Sequence, residues 1–321
     1  MPRSVVFFDN KNFPNVKYTP SFNKEKSFPH KHGVALHTTD DVYFAMGVNE
    51  GGTVHHEQRP GASFEGLKDW VANSFGDNEP TESDYVPGTV YKRIHRPLAS
   101  SGSLFSTISQ AKLTESFVAL RILLNKLEEL FETVEPTAAN LSTYGHKIRE
   151  IILLGCMEVE SSWSAVLKEN EYSSSPTWTT KDYVKLYAPM LLNCYTLALQ
   201  SYPGLPRFTP FEDWDAAKPT QSLPWYDAYN ETKHDREGNL HFATLHNAVQ
   251  SVGAAVVMFH SQFGFALGPT GKDLKSPIIE NIFRLETDFE KHWRDCYIPK
   301  FAIVNNEPKP LPDWVATNYP F

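Results

Sequence analysis

Hydrophobic and polar positions have two different periodicities along the chain, and the change from one to the other lies near residue 100. The first hundred residues contain short alternating or aromatic runs broken by glycine and proline, which predict short strands: SVVFF, GVALHTTDDVYFAMGV and GTVYKRIH. One helix is predicted in this part, with four apolar residues on one face: Phe64, Leu67, Val71 and Phe75. Residues 1–100 are therefore predicted to form a small α+β unit without an assigned role, with a loop over 76–88.

From about residue 104 the spacing of apolar residues becomes helical. Five helices are predicted, at roughly 106–134, 139–168, 223–233, 241–263 and from 277 through 293. The second carries a clear apolar face: Ile148, Ile152, Gly155, Val159, Trp163 and Val166. The predicted fold class is thus α+β, mainly a helical bundle over 101–321, with a long irregular insertion at 170–222 and an extended tail at 299–321. Within the insertion, a short helix near 181–187 and a strand at CYTLALQ are expected.

Composition and charge exclude several classes of protein. The chain has 321 residues and a formal net charge of −8, which excludes a protein that coats nucleic acid non-specifically. Three distant cysteines exclude a disulfide scaffold, and the segments around two of them predict buried thiols. No stretch reaches the roughly 18–20 apolar residues of a membrane span, so a cytoplasmic protein without membrane association is predicted. Phosphate-loop, dinucleotide, zincin and hydrolase motifs are absent from the sequence.

The densest group of polar residues lies between the third and fourth predicted helices. It follows Trp225 and Tyr229, which are four residues apart on a helix and are expected mainly as core anchors. The group contains seven polar residues: Asn230, Lys233, His234, Asp235, Arg236, Glu237 and His241. The free N–H groups at the start of a long helix favour phosphate, which the cationic side chains can also hold. His241 adds a group that can exchange a proton near neutral pH.

The spacing Arg236-x4-His241, directly before a long apolar helix, resembles the HEPN superfamily of helical ribonuclease-like domains. The strings WYDAYNETKHDR and YGHKIREIILLGCMEVESSW are also similar to a group of uncharacterised bacterial proteins near that superfamily. The resemblance covers about residues 104–265 and says nothing about the first hundred. One position departs from the pattern, since Glu237 stands where many HEPN ribonucleases carry Asn, Asp or His.

The resemblance implies metal-independent RNA cleavage without a cofactor, of the kind found in defence or toxin systems. His241 is then the general acid or base, and Arg236 stabilises charge in the transition state. Four residues are expected to contact the substrate: Tyr229, Asn230, Lys233 and His234. Asp235 and Glu160 are expected as supporting residues, with Glu160 pairing with Arg236 or Lys233 across the bundle. HEPN sites are commonly assembled between two copies, so a homodimer is implied as well.

Other interpretations remain open. Glu237 and the acidic net charge favour a non-catalytic module that binds a nucleotide, RNA or a protein. A purely structural interpretation pairs Arg236 with Asp235 or Glu237 and makes His241 a helix cap. A third hypothesis is a metal-dependent enzyme that uses an N-terminal histidine cluster, although surface histidines without a metal are the default expectation. The cluster consists of His30, His32, His37, His55 and His56.

Overall fold

A computed structural model describes residues 4–13, 17–18, 26–38, 40–48, 54–99, 107–173, 177–264 and 277–321. The chain divides into two compact units. The first comprises Met1–Val90, Arg96–Thr107 and Phe289–Ala316, and the second comprises Tyr91–His95, Ile108–Asp288 and Thr317–Phe321. The α+β fold class is confirmed, because an antiparallel sheet near the N-terminus is followed by a region of packed helices.

The first unit is built on a five-stranded antiparallel sheet in the order β6-β5-β4-β1-β7. Its strands are β1 Val5–Asp9, β4 His32–His37, β5 Val42–Gly47, β6 Val54–Gln58 and β7 Thr81–Ser83, and the short β2 Lys17–Tyr18 and β3 Lys26–Ser27 pair separately. The strands predicted from SVVFF and GVALHTTDDVYFAMGV are confirmed. The loop predicted over 76–88 is interrupted by β7, because Ser83 pairs with Val5 along the edge of β1.

Both faces of this sheet are buried, as the alternation of side chains along each strand requires. One face packs on α1 Phe64–Phe75, whose Leu67, Trp70 and Val71 contact residues such as Phe8. The other face packs on residues of the 289–316 segment, including Trp293 and Ile298. The remaining strands near this unit are β8 Thr89–Tyr91, β11 Phe301–Val304, β12 Glu307–Pro310 and β13 Val315–Thr317. The predicted tail at 299–321 therefore contains a hairpin, in which β11 and β12 pair.

The second unit contains four packed helices and several shorter elements. Its helices are α2 Gln110–Phe131, α3 His146–Glu169, α4 Thr180–Tyr183, α5 Pro224–His234, α6 Arg236–Asn239, α7 Leu245–Phe263 and α8 Pro277–Ile282. Helix α7 is buried on every face and only three of its residues are partly exposed, which is typical of a helix at the centre of a bundle. The predicted apolar face of α3 is confirmed, since all six of its residues are buried.

The backbones of α3 and α7 approach closely at one position. A Cβ atom placed on Gly155 would lie 2.8 Å from Ser251 Oγ and 3.1 Å from the Ser251 carbonyl carbon. Only a residue without a side chain fits there without a shift of either helix. Gly155 thus permits the contact on which the bundle is centred.

Two helix predictions are wrong in their boundaries. The fourth predicted helix begins at Leu245 instead of His241, because Thr244 caps it by accepting a hydrogen bond from Asn247 N at 3.3 Å. The fifth ends at Ile282 instead of continuing through residue 293. The chain continues as β10 Phe283–Thr287, which pairs antiparallel with β9 Tyr195–Leu199. β9 itself confirms the strand predicted at CYTLALQ. Across the described ranges, no helix is long and apolar enough to cross a membrane.

Candidate functional site

Helix α5 supplies the first part of the predicted site and is anchored by aromatic side chains. Pro224 occupies the first turn, where its missing N–H has no intrahelical acceptor in any case. Trp225 is fully buried and its Nε1 donates to the Pro210 carbonyl at 2.8 Å. Tyr229 is 2% exposed, so only its hydroxyl can contribute to a surface site. Both residues are core anchors, as expected.

The other end of α5 is held by an arginine of α3. Arg149 donates from Nε and Nη2 to the carbonyl of Thr232, at 3.0 and 2.9 Å. The Thr232 hydroxyl in turn donates to the Ala228 carbonyl at 2.7 Å. Such a bidentate, charge-assisted contact fixes the carbonyl end of the helix from which the polar segment begins.

Glu160 on α3 faces α5, but its partner differs from the expected one. The Tyr226 hydroxyl donates to Glu160 Oε1 at 2.5 Å, whereas pairing with Arg236 or Lys233 was predicted. Burial and the contact with this carboxylate raise the pKa of Tyr226 well above its usual range, so the phenol stays neutral. One turn further along α5, the Asn230 amide donates to the Tyr226 carbonyl at 3.0 Å. No sequence pattern singles out Tyr226, because it stands between the core aromatic residues Trp225 and Tyr229.

Lys233 lies at the C-terminal end of α5. Its Nζ donates to the Tyr229 hydroxyl at 3.0 Å and lies 4.8 Å from the centre of that ring. The hydrogen bond to Tyr229 raises the lysine pKa, and the negative charge of Glu160 adds to the effect. Lys233 is therefore a protonated cation at neutral pH, and its side chain is exposed to solvent.

The connection between α5 and α7 is short and locally constrained. Asp235 caps α6 by accepting a hydrogen bond at Oδ1 from Gly238 N at 3.0 Å. Asn239 adds a bond from Nδ2 to Glu231 Oε2 at 2.7 Å. A side chain at position 238 would collide with the Asp235 carboxylate, because a Cβ there would lie 2.6 Å from Oδ2.

The polar side chains of this connection point to solvent. His234, Arg236, Glu237 and His241 are all exposed. Among the described residues, none makes a hydrogen bond or an ion pair with the side chain of Arg236 or His241. The purely structural interpretation expected His241 to cap the following helix, but Thr244 caps α7 and Asp235 caps α6.

An aromatic surface adjoins the connection. The His241 ring lies on the ring of Phe242, with 4.2 Å between the centroids. Phe242 is 41% exposed and Tyr144 is 55% exposed. Tyr144 is close by, because it forms a β-bridge with Thr244. Exposed rings beside cations are a common feature of surfaces that bind single-stranded nucleic acid.

A cavity of about 280 Å³ opens beside α5 on the side of Glu160. It brings Glu160 and Asn230 together with residues of the 170–222 insertion, among them Trp178, Thr180 and Tyr183. No sequence pattern indicated this association, because the insertion has no periodicity that relates it to α3 or α5. Arg236 and His241 do not line the cavity.

Three of the N-terminal histidines contact aromatic or acidic side chains of the first unit. His30 and His55 are buried, and their rings lie 5.1 and 5.4 Å from the ring of Phe28. His32 contacts Asp9 Oδ1 through Nδ1 at 2.7 Å and stacks on Trp293. In the part of the chain that the structure describes, no three His, Cys, Asp or Glu side chains are grouped as metal ligands.

Comparison with known proteins adds no further assignment. No protein-family model, no curated protein and no solved structure matches this chain.

Proposed function

We propose that this chain is a HEPN-like, metal-independent endoribonuclease whose active site is the connection between α5 and α7. The observation that carries the proposal is the exposure of Arg236 and His241 on a segment that is fixed at both ends by side-chain caps. A cation and an imidazole that have no hydrogen-bond or ion-pair partner among the described residues are available to a ligand. The resemblance of Arg236-x4-His241 to the HEPN motif indicates that this ligand is RNA.

The chemistry requires only groups of the protein and the RNA. His241 accepts the proton of a ribose 2′-hydroxyl, whose oxygen attacks the adjacent phosphorus. The bond to the 5′-oxygen breaks, that oxygen takes up a proton from water, and a 2′,3′-cyclic phosphate remains on the upstream fragment. Arg236 stabilises the charge that builds on the non-bridging oxygens, and Lys233 and His234 hold flanking phosphates.

The residues around Arg236 and His241 support the binding of single-stranded RNA. Phe242 and Tyr144 offer exposed rings on which unpaired bases can stack, a contribution of about 1–3 kcal/mol per base in other systems. Tyr229 takes part only through its hydroxyl, which positions Lys233. Asn230 is partly exposed and contributes its amide side chain. A homodimer that combines two copies of the motif, and a cytoplasmic location, belong to the same proposal.

A second function is favoured by one observation. Glu237 is exposed directly beside Arg236, where its carboxylate competes with a phosphate for the guanidinium group. Under this alternative, the same surface binds a nucleotide, RNA or a protein without cleaving it. The Glu237→Gln variant distinguishes the two, because it should increase cleavage in an enzyme and change only affinity in a binding module.

The first test is RNA cleavage in the presence of EDTA. Purified wild type, Arg236→Ala and His241→Ala are incubated with single-stranded RNA and tRNA, and fragment ends are analysed. Loss of His241 should lower the rate about 10²–10⁴-fold. Arg121→Ala is the matched control, because Arg121 is an exposed arginine on α2. Full cleavage by both site variants would refute the assignment, and binding without cleavage by wild type would favour the non-catalytic module.

A further inference from the structure

Glu160 is the one charged residue among the described residues that line the cavity beside α5. Glu160 contributes a carboxylate, and no lysine, arginine or histidine is among the described residues that line the cavity. Lys233 on α5 lies near enough for the negative charge of Glu160 to raise its pKa, but its Nζ donates to the Tyr229 hydroxyl, and no ion pair with Glu160 is found among the described contacts. The only described hydrogen bond to this carboxylate comes from the neutral Tyr226 phenol. This carboxylate is therefore available to a cation as a partly buried counter-charge.

The cavity lining combines acceptors that have no described partner with one buried donor, Trp178 Nε1, which also lacks a partner among the described residues. Glu160 Oε2 and Asn230 Oδ1 accept no hydrogen bond from any described residue, and an ionised carboxylate oxygen accepts more than one. The hydroxyls of Thr180 and Thr220 lie 2.8 Å apart and retain acceptor capacity. A matching ligand presents several N–H donors and few acceptors, which describes an ammonium or a guanidinium group.

Aromatic rings complete the walls. Trp178, Tyr183 and Tyr226 all line the cavity. A cation over the face of such a ring is attracted by the negative charge density of that face, and more strongly when it is removed from water. The volume of about 280 Å³ suits a small ligand or the end of one side chain.

We propose that this cavity binds the ammonium or guanidinium group of an organic cation, with Glu160 as its counter-ion and the aromatic rings as its walls. Asn230 and Glu160 also belong to the surroundings proposed for the ribonuclease site, but cation binding does not depend on RNA cleavage, because Arg236 and His241 do not line the cavity. The cation comes either from a small diffusible amine or from a lysine or arginine side chain of a partner protein.

Calorimetric titration of the full chain tests the proposal. The probes are agmatine, which carries both cationic groups, and GMP, which is an anion with a planar base. Agmatine should bind saturably and GMP should not. Glu160→Gln keeps the shape and an acceptor for Tyr226, and it should weaken agmatine binding at least about tenfold. Glu158→Gln is the matched control, because Glu158 is also partly buried on α3 but does not line the cavity.

A third probe distinguishes the two sources of the cation. Tighter binding of the capped tripeptide acetyl-Gly-Arg-Gly-amide than of agmatine supports a side chain of a partner protein, and the reverse order supports a small amine. Equal affinity of wild type and Glu160→Gln for agmatine would overturn the proposal. So would preferential binding of GMP, or no saturable binding of agmatine or of the peptide to wild-type protein with a cooperative thermal transition.

Discussion

The close contact between α3 and α7 makes a quantitative prediction for Gly155. An added Cβ would lie 2.8 Å from Ser251 Oγ and 3.1 Å from its carbonyl carbon, and the backbone atom cannot rotate away. Overpacking of this kind typically costs about 1–3 kcal/mol, while alanine gains about 1 kcal/mol over glycine in helix propensity. Gly155→Ala should therefore lower the free energy of unfolding by roughly 0–2 kcal/mol. Gly155→Val keeps only a small part of that propensity gain and carries two methyl groups beyond the Cβ, so its loss should reach about 3 kcal/mol.

Thermal unfolding followed by circular dichroism measures this effect. A loss of about 3 kcal/mol should lower Tm by roughly 6–12 °C for a unit of this size. Gly204→Ala is the control, because no atom lies within 4 Å of a Cβ at that position. Combining Gly155→Ala with Ser251→Gly should recover part of the loss through removal of the opposing side chain. An unchanged Tm for Gly155→Val would refute the inference that the two backbones are in contact at this residue.

Two further predictions concern the second unit. Arg149→Met should lower the free energy of unfolding by about 1–3 kcal/mol, since the Thr232 carbonyl loses both of its guanidinium donors; Arg149→Lys should restore little, and urea denaturation measures both. His95 is buried and faces His260, which lowers its pKa from 6.5 to about 4, so the unfolded chain binds its proton first as pH falls. The contribution of His95 to the free energy of unfolding should be fully present above pH 6.5. It should decline between pH 6.5 and 4, by roughly 3 kcal/mol in total. Urea midpoints measured across this range should fall for wild type and fall less for His95→Phe, and a flat wild-type profile would contradict the argument.

The candidate site was only partly predictable from the sequence. The cluster from Asn230 to His241 is contiguous, so its composition and its position between two helices could be predicted directly. The environment of each side chain could not. Whether Glu160 meets Arg236 or Tyr226 depends on the rotation of α3 against α5, which no local pattern encodes.

The sequence by itself determined the elements with strong local signals. The apolar stripe of α3, the continuous apolar runs of β4 and β5, and the Ser63 cap of α1 each depend on neighbours within a few residues. It also determined that polar and titratable groups would gather after α5.

Only the tertiary structure decided features that depend on distant partners. The segment after Ile282 has helical spacing but forms a strand, because β9 offers it backbone hydrogen bonds. The edge strand β7 exists because β1 is available to pair with it. The cavity beside α5 exists because the 170–222 insertion folds back against α3 and α5. In each case the stabilising contact joins residues far apart in the chain, and local periodicity carries no information about such contacts.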